Sequence, residues 1–183
     1  MVMTPAFLDH PAWVWACRAL LAMALLFGCW ALFASSWTET LVSAAVALIA
    51  LAALHGRDRL PIFFGLSIAI AAAVNAAGYV FALWHEVAAF DEAAHAYTGF
   101  AGIAAIGWGM LRARALAGWS PPWLVAAMLG IGLLLGIAWE GFEALIGIIG
   151  SRRDTLIDLA MDCAGALVGA LLLCRVKAPS RQG

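Results

Sequence analysis

Charge is what this chain has least of. Its 183 residues include ten lysines and arginines and eleven aspartates and glutamates, a charged share of 11%, about half that of an ordinary soluble domain. No basic stripe and no zinc-finger spacing occurs, which removes the usual footprints of nucleic-acid binding. There is no Cys-x-x-Cys pair: Cys17, Cys29, Cys163 and Cys174 are scattered through apolar runs, where a thiol acts as a small buried hydrophobe. No G-x-S-x-G and no H-E-x-x-H appears, so the common serine-hydrolase and zinc-protease motifs are missing. Long linkers, low-complexity tracts and clean internal repeats are lacking as well.

Apolar side chains fill the space that charge leaves. Hydrophobic residues make up 66% of the sequence, against roughly 45–50% in soluble domains. No soluble fold of this size has the interior to hide so much apolar surface, so lipid must solvate most of it. Six runs are long enough to cross a bilayer: residues 13–33, 38–54, 61–84, 91–111, 122–149 and 155–176. The expectation is an all-α, polytopic bundle of about six membrane-spanning helices, forming a single integral membrane domain over residues 1–183. Arg18 lies inside the first run rather than ahead of it, so that run reads as a retained helix and not as a signal peptide. Pro61 and Ser120-Pro121-Pro122 suit helix starts, and Ser151-Arg152-Arg153-Asp154 reads as a tight turn.

Six spans put both termini on one side of the membrane. With cytoplasmic termini, Arg18, Arg57, Arg59, Arg112, Arg114, Arg175, Lys177 and Arg181 lie on or nearest the cytoplasmic face, and only Arg152 and Arg153 lie outside. Eight against two is the bias that the positive-inside rule describes. The acids divide the other way. Asp9 and Asp58 fall inside, whereas Glu39, Glu86, Asp91, Glu92, Glu140, Glu143, Asp154, Asp158 and Asp162 fall towards the outside. Acids contribute little to orientation, so this second asymmetry needs a separate cause.

Helical periodicity sorts these acids onto stripes. Asp91 and His95 are four apart and share a face. Glu140 and Glu143 are three apart, with Gly132 and Gly136 preceding them on the same stripe. Asp154, Asp158 and Asp162 recur every four residues and continue into Gly165 and Gly169. The small-xxx-small pairs allow close helix approach. Counted from the Arg152 turn, Glu140 and Asp162 are each expected about 15 Å down, at similar depth, with the glycines of the two helices meeting below them. A carboxylate at membrane depth costs about 2.5–3.5 kcal/mol on insertion scales. Protonation or a bound cation relieves that cost. Carboxylates with one imidazole suit a divalent ion such as magnesium, manganese, iron or zinc. The candidate metal ligands are therefore Asp91, His95, Glu140, Glu143, Asp158 and Asp162. Trp139, next to Glu140, is the aromatic residue that could line such a site, with helix packing its plainer role. The plain alternative is that Arg152 and Arg153 neutralise the cluster and that Asp91, Glu92 and Asp154 are solvated.

Three segments carry a family resemblance. Phe90-Asp91-Glu92-Ala93-Ala94-His95, Trp139-Glu140-Gly141-Phe142-Glu143 and Asp154-Thr155-Leu156-Ile157-Asp158, followed by Asp162 and Gly165, resemble in order the YjdF family of bacterial inner-membrane proteins. The last segment also resembles the VanZ-like family. Two positions depart from the related patterns: Glu92 stands where a basic residue is common, and Asp162 where VanZ-like proteins tend to carry Asn. Both make this chain more acidic, which favours a cation over an internal ion pair. The resemblance implies a multi-pass protein of the bacterial inner membrane and brings no reaction with it.

Three uses of the polar site follow. A divalent metal acts on a lipid or lipid-linked substrate; the acids couple a small transporter to ions or protons; or they only fix helix register in a non-catalytic scaffold. The lipid bilayer is the one certain partner, nucleic acid is not expected, and oligomeric state is open.

Overall fold

The computed structural model describes residues 5–147 and 150–177. A 3-10 turn at Ala6–Asp9 precedes α1 (Pro11–Phe33), α2 (Trp37–His55), α3 (Ile62–Val80), the short α4 (Leu83–Glu86), α5 (Phe90–Arg112), α6 (Pro121–Ile146) and α7 (Arg152–Lys177). No strand occurs among the described residues. The chain forms two compact units, one ending at Phe90 and the other beginning at Asp91.

Local chemistry sets the helix ends. His10 caps α1, its Nδ1 accepting from the Ala12 N–H at 3.2 Å, and Pro11 occupies the first turn, where its missing N–H costs nothing. Proline at the head of α3 has no capping side chain, and Asp9 supplies one from a distance: its Oδ1 accepts from Ile62 N–H at 3.2 Å. α6 opens on Pro121-Pro122 and closes on Gly147, whose φ of 78° is the left-handed conformation that glycine adopts without strain. At the head of α7, Ser151 Oγ accepts from the Asp154 N–H at 3.2 Å, a serine cap with an acid in the first turn.

The helix expected over 61–84 ends early. α3 stops at Val80, Ala82 adopts a φ of 53°, and the chain turns into α4. Trp84 explains the break. Its indole folds back over Gly78, where any Cβ would collide with the ring.

In the first unit α1, α2 and α3 pack on one another. The core is apolar and fine-grained, with Cys17, Ala50, Ala53, Ile62, Leu66 and Ala69 at its centre. Gly65 lies so close to Ala53 that a Cβ there would sit 2.7 Å from the alanine methyl. In the second unit α6 packs antiparallel on α7, and α7 also presses on α5. A Cβ at Gly165 would overlap the Ala96 carbonyl, and one at Gly169 would lie 3.1 Å from the Phe100 carbonyl.

The outward faces are greasy. Phe33 is 90% exposed, and Trp15, Leu26, Leu41 and Leu145 are also open. A water-soluble surface does not carry such residues in number; a lipid-facing one must. Five stretches are long and apolar enough to cross a membrane: Ala6–Phe33, Trp37–His55, Ile62–Val80, Pro121–Leu145 and Arg152–Val176. α5 is not among them, because Asp91, Glu92 and His95 occupy its first two turns. Its 23 residues still reach about 34 Å at 1.5 Å each, enough for a hydrocarbon core of about 30 Å.

Candidate metal centre

The polar residues of the second unit sit on the seam among α5, α6 and α7. His95, Glu140, Asp158 and Asp162 are 8%, 6%, 4% and 7% exposed, so each is nine-tenths buried although ionisable. Asp91 and Glu143 are half-buried. Close helix approach brings this about. Small residues at Gly99, Gly165 and Gly169 let α5 and α7 meet backbone to backbone, which carries Asp158 and Asp162 up against His95.

His95 is the hub. Its Nδ1 lies 3.3 Å from Asp162 Oδ1, and its Nε2 lies 3.6 Å from Asp91 Oδ1. One potential ligand atom from each of Asp91, His95 and Asp158 falls within 4.8 Å of the other two. Ligand atoms around one ion, each about 2.0–2.6 Å from it, are spaced about 3–5 Å apart, so this trio has the dimensions of a coordination shell. Asp162 occupies the other side of the ring. A carboxylate on the second imidazole nitrogen fixes the tautomer and orientation of a ligating histidine.

α6 contributes by register. A Cβ at Gly132 would meet the Ala166 methyl, and one at Gly136 would come 2.5 Å from Asp162 Oδ2. Gly136 thus leaves the space that the Asp162 carboxylate fills. Carried one turn further, the same antiparallel register sets Glu140 across from Asp158. Glu140 Oε1 is buried and accepts no hydrogen bond among the described residues.

These findings revise the stripe picture in two ways. Glu140 and Asp162 do not face each other at one depth; they are offset by a turn, because the Gly132–Ala166 and Gly136–Asp162 pairs are centred three residues before Arg152. Nor do the glycines of α6 and α7 meet. Those of α6 accept Ala166 and Asp162, while Gly165 and Gly169 pack on α5. The neutralising role open to Arg152 and Arg153 is not filled. Both are exposed, and among the described residues His95 is the only basic group within ion-pair distance of the buried acids.

The remaining candidates stand at the rim. Glu143 Oε1 accepts from Trp139 Nε1 at 2.8 Å, and Trp139 itself is 45% exposed. Trp139 therefore orients a rim carboxylate rather than packing on the buried polar group. Asp154 belongs to the α7 cap. The stripe spacing already marks Gly136, one turn before Glu140; what it does not reveal is that Gly136 makes room for the Asp162 carboxylate.

Fold and site together define a multi-helix membrane protein with a buried Asp/His/Asp group. The chain belongs to the family described as Predicted membrane protein (DUF2238), whose pattern it matches over residues 13–179. No curated protein and no solved structure matches it.

Proposed function

We propose that the second unit binds a divalent cation through Asp91, His95 and Asp158, and that Asp162 holds His95 in position for it. The convergence of those three ligand atoms within 4.8 Å carries this reading. Its support is that, among the described residues, no lysine or arginine pairs with the buried carboxylates, which are tolerable at membrane depth only when a proton or a cation offsets them. With Nδ1 engaged by Asp162, Nε2 is the nitrogen left to ligate. Magnesium and manganese fit the oxygen-rich set, and zinc or iron fit the imidazole.

The cation would serve as a Lewis acid or activate water for a lipid or lipid-linked substrate entering from the bilayer. The arginine distribution supports cytoplasmic termini, with the site towards the opposite face. The likeness to YjdF-type proteins, and more distantly to VanZ-like ones, supports a bacterial inner membrane. A carrier is the competing use of buried acids. Against it, the seam beneath Asp162 is closely packed, by Gly132 against Ala166 and by Gly165 and Gly169 against α5, where a conduit would need polar lining.

Elemental analysis of the purified chain tests the proposal. Wild type is expected to retain a stoichiometric divalent metal that Asp158→Asn loses. A folded, metal-free wild type that takes up none on titration sinks it. Cation or proton flux through liposomes, abolished by Asp162→Asn, would favour the carrier instead.

A further inference from the structure

We infer that the site takes a second divalent cation, held between Glu140 and Asp158, with Asp158 shared by both ions. This rests on the reading that Asp91, His95 and Asp158 bind the first. Three observations lead to it. Glu140 is 6% exposed, yet its Oε1 has no hydrogen-bond partner among the described residues; a buried carboxylate oxygen left bare is costly unless something positive meets it. The register fixed by Gly132–Ala166 and Gly136–Asp162, continued one turn along α6, brings Glu140 level with Asp158, already a member of the first set. One ion also leaves a deficit when the site is fully ionised. With all four carboxylates deprotonated, Asp91, Glu140, Asp158 and Asp162 carry four negative charges, a neutral ligating His95 carries none, and one divalent cation offsets only two.

A second ion closes that deficit and gives Glu140 its partner. Hard cations such as magnesium and manganese bind through one or two carboxylates and keep several waters, which is what Glu140 and Asp158 provide. Paired ions in such centres lie about 3.5–4 Å apart, a spacing that one bridging carboxylate spans. Glu143 is outside this pair, since Trp139 holds it at the rim.

Manganese titrated into the purified full chain, followed by electron paramagnetic resonance and by equilibrium stoichiometry, tests the inference. Wild type is expected to bind two ions per chain with a broadened, spin-coupled signal. Glu140→Gln is expected to bind one, with an uncoupled six-line signal, and Glu143→Gln to keep two. One uncoupled ion in wild type, unchanged in stoichiometry and affinity by Glu140→Gln, overturns the second site and leaves the first standing. No manganese bound at all overturns both.

Discussion

The two units solve the same packing problem with opposite side chains. In the first, α1, α2 and α3 close on Cys17, Ala50, Ala53 and Ala69, and where a hydroxyl or thiol enters, a backbone carbonyl meets it. Cys17 Sγ meets the Ala50 carbonyl at 3.4 Å, and Ser67 Oγ donates to the Phe63 carbonyl at 2.9 Å. In the second, small residues again bring helices together, but the space they open is filled by carboxylates and an imidazole. Gly65 admits a methyl group from Ala53; Gly136 admits the carboxylate of Asp162. The same device supports a core in one unit and a site in the other. Close packing alone therefore does not explain the acids; the proposed cation site does.

The largest expected effect separates the units outright. Asp158→Asn should weaken divalent-cation binding by more than about 100-fold, because it removes a ligand that no neighbour replaces; isothermal titration in detergent measures it. An equally drastic change in the first unit, Ala53→Phe, should leave cation affinity untouched and lower thermal stability instead. If Asp158→Asn binds as wild type does, the contrast between site and core collapses.

Next comes Asp162→Asn. Outer carboxylates on ligating histidines typically contribute 10–100-fold in metal affinity, so a loss of about that size is expected, with the metal still bound at high concentration. Loss as complete as in Asp158→Asn would make Asp162 a direct ligand.

The paired glycines give the sharpest comparison of the two seams. Gly65→Ala should cost about 1–3 kcal/mol of stability, as overpacking does, with no effect on cation binding. Gly136→Ala should cost a similar amount and also weaken binding several-fold, because its methyl would displace the Asp162 carboxylate. Melting curves with and without manganese distinguish the outcomes.

Much of this was legible in the sequence. The helices follow from the apolar runs, and the stripes from the spacing of Asp91 with His95, Glu140 with Glu143, and Asp158 with Asp162, since a period near four fixes a helix face whatever its partner. What periodicity cannot fix is the register between two helices. The α6–α7 offset depends on how the connecting turn is built, so sequence counting set Glu140 against Asp162, while packing sets Asp162 in the notch of Gly136. Nor does a glycine stripe name its partner; those of α7 went to α5. The early end of α3 was hidden for a similar reason, since it depends on Trp84 folding back six residues onto Gly78.

The smallest effect expected is at the rim. Trp139→Phe removes the 2.8 Å hydrogen bond to Glu143, keeps the aromatic bulk, and should change cation affinity less than about threefold, given the modest net worth of one exposed hydrogen bond. A larger change would bring Glu143 into the coordination shell.

The central claim is that an imidazole and carboxylates of the second unit jointly ligate one cation. Electron spin-echo modulation of manganese bound to the full chain tests it most directly. The account predicts nitrogen coupling from one imidazole, present in wild type and in Cys17→Ala, and lost in His95→Gln. Bound manganese with no nitrogen coupling, or a coupling that survives His95→Gln, would contradict it.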